Sequence, residues 1–407
     1  MRRRSPDKRS LAGVGGRTEC RGDAALAPLL RHALQVDPRA RLPFTHGFHA
    51  YPARMHPETA RRLLAHFAGP GARVLDPFVG SGTVALEALR LGLPCAGVDI
   101  SRVALEIAWA RPRVMVPAEC RAIEQAGARL AHRLRSVPQP HAAWPAWAVP
   151  VRSWFSTHTL AEVCLLKAAI DDLDDERRRR LLLCVLSSLL VKLSKQASDS
   201  APVVDRAYRP WPPGAAYGLF ASKCAELTRS LLLLSSDLHK RKVVVIEPAL
   251  ELGDARTHRF GKGSFDVILT SPPYPATYDY AHHQQLRYAL YGGGAQFAEA
   301  HELGSRRDLR GRRDAYACYQ QDLTRALENA MRALAPGGRV LLLIGDGRIG
   351  ARALRTDELV AAIAPRLGAS VQAMASQARI DWSSSRRQRK HEHLLLLTRS
   401  QAAGIAP

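Results

Sequence analysis

The chain has 407 residues, of which 46% are hydrophobic and 24% charged, a composition that gives a globular protein of one large domain or two ordinary ones and excludes a disordered or fibrous chain. Its formal net charge of +22 points to a polyanionic partner, most simply nucleic acid, although arginine far outnumbers lysine and part of the excess is compositional. The 7 cysteines are scattered with no C-x-x-C pair, so they read as free thiols of a reducing compartment, and no metal site is spelled out.

The start, "MRRRSPDKRS", is basic but no apolar run follows, so it is not a secretory signal. Residues 1–22 read as a flexible basic arm. From residue 72 strand and helix patterns alternate. "ARVLDPF" is a strand, "TVALEALRLG" a helix closed by glycine, "CAGVDI" a second strand and "SRVALEIAWA" a second helix. That is β-α-β-α, the pattern of a parallel sheet covered by helices. Residues 117–240 then read as a helical insertion, with apolar residues at helical spacing in "TLAEVCLLKAAIDDL" and "ERRRRLLLCVLSSLLVKLSK". Its most apolar stretch, 181–193, is too short to span a bilayer. The acids of "DDLDDERRRR" precede the basic run, as a helix start favours, and "APVVDRAYRPWPPGAAYG" is a proline-rich loop. Strands return at "KVVVIEP" and "FDVILTS", a helix at "YQQDLTRALENAMRALAPGG" with its end marked by Pro-Gly-Gly, and strands at "RVLLLIGD", "SVQAMAS" and "HLLLLTR", the last two bracketing a polar basic segment as in an antiparallel pair. The expectation is an α/β, Rossmann-like fold with seven mostly parallel strands and a helical insertion after the second. The catalytic domain is expected over 23–116 and 241–400, in a soluble cytoplasmic protein near the nucleoid.

Two stretches carry chemistry. In "VLDPFVGSGTVALEA" Gly80, Ser81 and Gly82 lie between a strand and a helix, where small residues let the backbone approach a ligand and helix N–H groups point at it. Asp99 ends the next strand, where a carboxylate can accept both ribose hydroxyls. Gly80-x-Gly82-x-x-Ala85 also fits the looser dinucleotide pattern. Asp76 speaks against a dinucleotide, because a carboxylate there repels pyrophosphate but suits the ammonium of S-adenosylmethionine. In the second stretch, "FDVILTSPPYPATYDY", an apolar strand runs into Ser271, Pro272, Pro273 and Tyr274. Prolines end a strand, so this is a plain stop or a rigid tool. As a tool it holds the Ser271 hydroxyl and the Pro272 carbonyl as fixed hydrogen-bond acceptors, with Tyr274 offering a flat face.

"DPFVGSGT" (76–83) resembles the cofactor loop of bacterial DNA amino-methyltransferases, and "TSPPY" (270–274) resembles their catalytic loop in the serine form typical of N4-cytosine enzymes. "HGFHAYPARMHP" (46–57) is similar to the N-terminal cofactor-side motif of a subgroup, and "LGDAR" (252–256) to the segment whose acid contacts the cofactor adenine. The resemblance covers about 44–110 and 243–400. It implies S-adenosylmethionine as cofactor, held by Tyr51, Pro52, Asp76, Pro77, Phe78, Gly80, Ser81, Gly82, Thr83, Asp99, Ile100 and Asp254. It implies catalysis by Ser271, Pro272, Pro273 and Tyr274 on a flipped base of double-stranded DNA, with a cognate restriction endonuclease as a further partner. N6 of adenine, an amine in RNA, and a nucleic-acid-binding protein with a vestigial fold stand as alternatives. His46, His49 and His56 are expected to hydrogen-bond or pack rather than bind metal. Two basic segments suit phosphate contacts. The first holds Arg306, Arg307, Arg310, Arg312 and Arg313; the second holds Trp382, Arg386, Arg387, Arg389 and Lys390. By position, residues 117–240 are the target-recognition region, or else a packing or dimerisation element.

Overall fold

A computed structural model describes residues 14–137, 144–349, 352–380 and 389–400. Among these described residues the strands are β1 (Val14–Gly22), β2 (Val74–Asp76), β3 (Cys95–Asp99), β4 (Gln196–Ser198), β5 (Ala201–Val204), β6 (Ala249–Leu252), β7 (Phe265–Thr270), β8 (Leu334–Gly345), β9 (Gly347–Ile349), β10 (Arg352–Leu354), β11 (Ala369–Ile380) and β12 (Arg389–Arg399). The helices before the insertion are α1 (Leu26–Leu34), α2 (Pro57–Phe67), α3 (Thr83–Arg90) and α4 (Arg102–Ala110). Those of the insertion are α5 (Pro117–Leu134), α6 (Thr157–Asp171), α7 (Glu176–Leu193) and α8 (Ala215–Lys240). After it come α9 (Tyr280–His283), α10 (Gln285–Leu290), α11 (Ala295–His301), α12 (Arg306–Leu309), α13 (Ala315–Ala333) and α14 (Thr356–Ile363).

Eight strands form one sheet in the order β1-β11-β12-β8-β7-β2-β3-β6. From β6 to β8 every pairing is parallel; β12, β11 and β1 are added antiparallel. The fold is thus α/β and Rossmann-like, with eight strands rather than the expected seven. Chain order reverses between β2 and β7, which pair at Val74↔Val267 and Leu75↔Ile268. In an open α/β sheet that reversal leaves a crevice at the carboxyl ends of the strands, where ligands bind. The glycine loop leaves β2 there and the Ser-Pro-Pro-Tyr loop leaves β7 there.

Strand periodicity explains the core. In β7, Val267 and Leu269 join a cluster with Leu63 and Leu64 of α2 and Val84 of α3. Ile268 faces the other way, onto Leu323 and Leu327 of α13 and Val360 of α14. The run 394–397 divides likewise, Leu394 and Leu396 to the first cluster, Leu395 and Leu397 to the second. A run apolar at every position is what a strand covered on both faces requires.

Three expectations are corrected. Residues 14–22, assigned to the arm, form β1 against β11, because the edge of β11 offers free backbone groups that a chain of any composition can pair with. "KVVVIEP" is not a strand. Pairing with β3 begins after Pro248, whose missing N–H cannot serve a ladder, and Val244 is left 72% exposed. "APGG" after α13 does not close that helix by a glycine cap; β8 starts directly at Leu334 with a register shift. The insertion does not stand apart from the sheet domain. Most of its buried apolar residues form one cluster with Val103 and Ile107 of α4 and Leu286 and Leu290 of α10, and Leu234 and Leu238 of α8 pack with Leu86 and Leu89 of α3. Among the described residues no helix is long and apolar enough to cross a membrane.

Candidate functional site

The glycine loop is shaped from both sides. Gly82, at φ +79°, caps α3, and a Cβ there would lie 2.8 Å from the Ala108 backbone, so only glycine fits. The Asp99 carboxylate takes the Gly80 amide at 2.8 Å on one oxygen and the Ser101 amide at 2.8 Å on the other. Asp76 accepts from the Phe78 amide at 3.1 Å and from the Thr270 hydroxyl at 2.7 Å, which joins the two loops at their roots. Burial pushes the Asp76 carboxyl up to about 7, against those hydrogen bonds, and the Asp99 carboxyl up to about 6.

Beneath the loop lies Arg111, fully buried, which the sequence does not single out. It donates to the Ser81 carbonyl and hydroxyl, both at 2.7 Å, and to the carbonyls of His49 at 2.9 Å and His46 at 3.3 Å. One guanidinium thus ties the 46–57 segment to the glycine loop. Nothing in the local pattern distinguishes it from Arg113 two residues on; only the packed fold brings its partners together. The histidines hydrogen-bond, as expected. His46 meets Glu87 at 2.6 Å and is lowered to about 4, chiefly by burial; His49 meets Ser187 at 3.1 Å; His56 caps α2.

The two loops open into one cavity. Of the expected cofactor residues, Tyr51, Asp76, Pro77, Phe78, Gly80, Ser81, Thr83, Asp99, Ile100 and Asp254 line it, and Ser271 and Pro273 line it from the other loop. Pro52, Gly82, Pro272 and Tyr274 are not on its wall. Arg54, Tyr280, Tyr288, His301 and Glu302 line it too; Tyr280, Tyr288 and His301 sit in the short helices α9, α10 and α11, too short to show a periodic signal, and Arg54 and Glu302 lie outside regular elements. The Tyr51 and Tyr280 rings stack at 6.3 Å. Burial pushes the Glu302 carboxyl up to about 7, although it accepts from the Tyr280 amide at 2.5 Å. Asp254 is engaged by Arg256 at 2.6 Å. The Thr83 hydroxyl, 5% exposed on the cavity wall, has no protein partner.

Tyr274 is anchored behind the catalytic loop. Its hydroxyl donates to Glu392 at 2.7 Å, the Arg379 guanidinium lies 4.9 Å from its ring centre, and its ring packs against Gly345, where a Cβ would come within 2.6 Å. The loop is held again where Tyr319 donates to the Pro273 carbonyl at 3.0 Å.

The first basic segment lies beside this loop, bound to it by Ala276 N–H to Gly304 O at 2.9 Å and Arg306 N–H to Tyr278 O at 3.2 Å. Arg306 pairs with Asp279 at 3.4 Å, Arg307 with Asp308 at 3.1 Å and Arg312 with Asp314 at 2.9 Å; Arg310 and Arg313 are exposed. In the second segment Arg389 opens β12 and Lys390 sits opposite Arg379; Trp382, Arg386 and Arg387 lie outside the described residues. Asp346, Asp357 and His393 cluster behind β8, with His393 at 3.0 Å from Asp346 and Arg355 at 2.9 Å from Asp357. They read as an internal charge knot.

A family model described as DNA methylase, of the N6/N4 type, matches residues 33–109. The type II methyltransferase M.MjaII of Methanocaldococcus jannaschii is 32% identical over 63 residues, 16% of this chain and 12% of that one. The type II methyltransferase M.MvaI of Kocuria varians is 22% identical over 247 residues, 56% of this chain and 53% of that one. The chain therefore spans about half, or less, of the length of these curated relatives. Among solved structures, TrmN of Thermus thermophilus is 16% identical with a TM-score of 0.30, covering 85% of this chain and 49% of its own. A SAM-dependent methyltransferase of Methanosarcina mazei is 9% identical with a TM-score of 0.33, covering 84% and 98%. Likenesses that distant carry no functional weight.

Proposed function

We propose, from the match of residues 33–109 to the DNA amino-methyltransferase family and the partial likeness to type II methyltransferases, that the chain methylates an exocyclic amine of a base in double-stranded DNA, N4 of cytosine, using S-adenosylmethionine. The observation that carries the reading is the single cavity shared by the acid-flanked glycine loop and the Ser271–Pro273 loop at the point where strand order reverses.

The residues present fit that cofactor. The Asp76 carboxylate suits an ammonium, Asp99 a ribose, and Tyr51 with Tyr280 flat apolar faces, while the unpartnered Thr83 hydroxyl awaits a polar ligand atom. The cofactor supplies a methyl group activated by a sulfonium. An exocyclic amine is a weak nucleophile because its lone pair is delocalised into the ring. The Ser271 hydroxyl on the cavity wall accepts one of its N–H bonds, and the Pro272 carbonyl, off that wall in the free protein, takes the other once the base has entered, so that the lone pair returns to nitrogen. The prolines fix that carbonyl before the base arrives, and Glu392 and Tyr319 fix the loop from behind. The target base must leave the duplex to enter, since its amine is otherwise paired. The exposed Arg310 and Arg313 flank the catalytic loop and suit phosphates of the opened strand.

The test is methyl transfer from labelled S-adenosylmethionine to unmethylated duplex DNA, followed by nucleoside mass analysis, beside Ser271→Ala and Asp76→Ala. N4-methylcytosine, lost in both variants, supports the reading. N6-methyladenine keeps the mechanism and overturns the base assignment. Label in RNA with none in duplex DNA overturns the substrate.

A further inference from the structure

We propose that the β4–β5 ribbon enters a groove of duplex DNA next to the target base and sets the sequence selectivity of methylation, an inference that rests on the function proposed above. The ribbon is its own two-stranded sheet, unconnected to the main one, with Gln196 opposite Val204 and Ser198 opposite Ala201. Val203 and Val204 are each 58% exposed. Gln196 is buried and β4 packs against α7, so the ribbon lies on the insertion with the β5 side, Val203 and Val204, open to solvent.

A lone two-stranded ribbon is marginal in water. This one is fastened at both ends. At its base the Lys195 amide donates to Trp154 O at 2.7 Å and the Asp205 amide to Lys195 O at 2.7 Å. At its tip Asp199 pairs with Arg287 of α10, a side chain only 1% exposed that also donates to the Ser187 carbonyl at 3.2 Å. The next residue, Tyr288, lines the cavity and donates to the Ser101 hydroxyl at 2.8 Å. Adjacent residues of one short helix therefore hold the ribbon and the cavity wall, which fixes the ribbon relative to the seat of the target base.

Its chemistry suits a DNA groove. Residues 192–209 carry Lys192, Lys195, Arg206 and Arg209 against Asp199 and Asp205, four basic groups to two acidic. Asp199 is already matched by Arg287, so the bare side is cationic. A two-stranded ribbon fits the major groove, where valine methyl groups can meet the thymine methyl and arginines the flanking phosphates.

The experiment uses the full chain. Sequencing of genomic DNA methylated by the wild type identifies the cognate site. V203A/V204A and R206A/R209A are then compared on cognate and single-mismatch duplexes, with S-adenosylmethionine affinity and thermal unfolding as controls; all four side chains are exposed, so neither variant threatens the core. For V203A/V204A the expected result is a cognate-to-mismatch ratio of kcat/KM reduced about tenfold. For R206A/R209A it is duplex binding weakened about tenfold on every sequence, with a shallower salt dependence. Both controls stay unchanged. If DNA is methylated with unaltered selectivity and affinity in both variants, the ribbon does not touch DNA and the proposal falls while the function stands. A uniform loss of rate with selectivity intact also overturns it, since that is the mark of mere support. A wild type that methylates RNA and not duplex DNA overturns function and ribbon together.

Discussion

The loops after β2 and β7 leave neighbouring parallel strands and meet in one cavity, yet they are built in opposite ways. The first is rich in glycine, the second in proline. Glycine frees the backbone to take left-handed angles and come close to a ligand, and the loop is then stiffened from outside, by Arg111 below and Asp99 alongside. Proline stiffens the second loop from within, and only Tyr274 and the Pro273 carbonyl need external anchors. The difference matches the work proposed for each. A cofactor is held by several backbone donors brought close, a nucleophile by two acceptors aimed well.

The comparison is broken most severely at Arg111. Arg111→Ala removes the donors of three backbone carbonyls and leaves them buried. A loss of about 3 kcal/mol in unfolding free energy is expected, with weakened cofactor binding, measured by denaturant melts and calorimetry. An unchanged cofactor affinity would mean that the glycine loop holds its shape alone. Ser271→Ala strikes the other loop. Methyl transfer should fall about 100-fold in kcat, with cofactor affinity intact, because only the aim of the amine is lost. A matching fall in cofactor affinity would show that the two loops are not separable.

Acidity sharpens the comparison further. Asp76, raised from 3.8 to about 7, must be ionised to take an ammonium. A carboxyl raised in the folded state is mostly protonated below 7, so cofactor affinity should tighten about tenfold from about pH 6 to about pH 8, by titration calorimetry. The ligand-free fold moves the other way through this group, losing stability as pH rises from 3.8 through 7. The Asp76→Asn variant should flatten both trends. The smallest effect is expected for Tyr274→Phe, which keeps the ring and removes its bond to Glu392. A loss of about 1 kcal/mol in transition-state stabilisation, a few-fold in kcat with no change in cofactor affinity, would mark the hydroxyl as an anchor of the loop. No change in kcat would leave the ring alone as the contribution of Tyr274.

Much of this was legible in the chain, because short-range patterns carry it. The strand-loop-helix of 72–92, the acid closing β3, the apolar run into Ser271 and the antiparallel pair of β11 and β12 each lie within one continuous stretch of chain. What failed had a local cause as well. Pro248 cut short an apolar run that otherwise reads as strand, and the polar text of 14–22 hid an edge strand whose pairing depends on its neighbour rather than on itself.

The sequence by itself determined the α/β class, the two loops and the chemistry each can offer, since torsional freedom and hydrogen-bonding groups belong to the residues. Only the tertiary structure decided that the loops share one cavity, because strand order is a property of the whole sheet. It alone brought Arg111 under Ser81, Glu392 to Tyr274 and Asp199 to Arg287, across 30, 118 and 88 residues of chain. Such long-range partners are chosen by packing and by the cost of burying a charge or hydroxyl unpaired, and no periodicity along the chain records that choice.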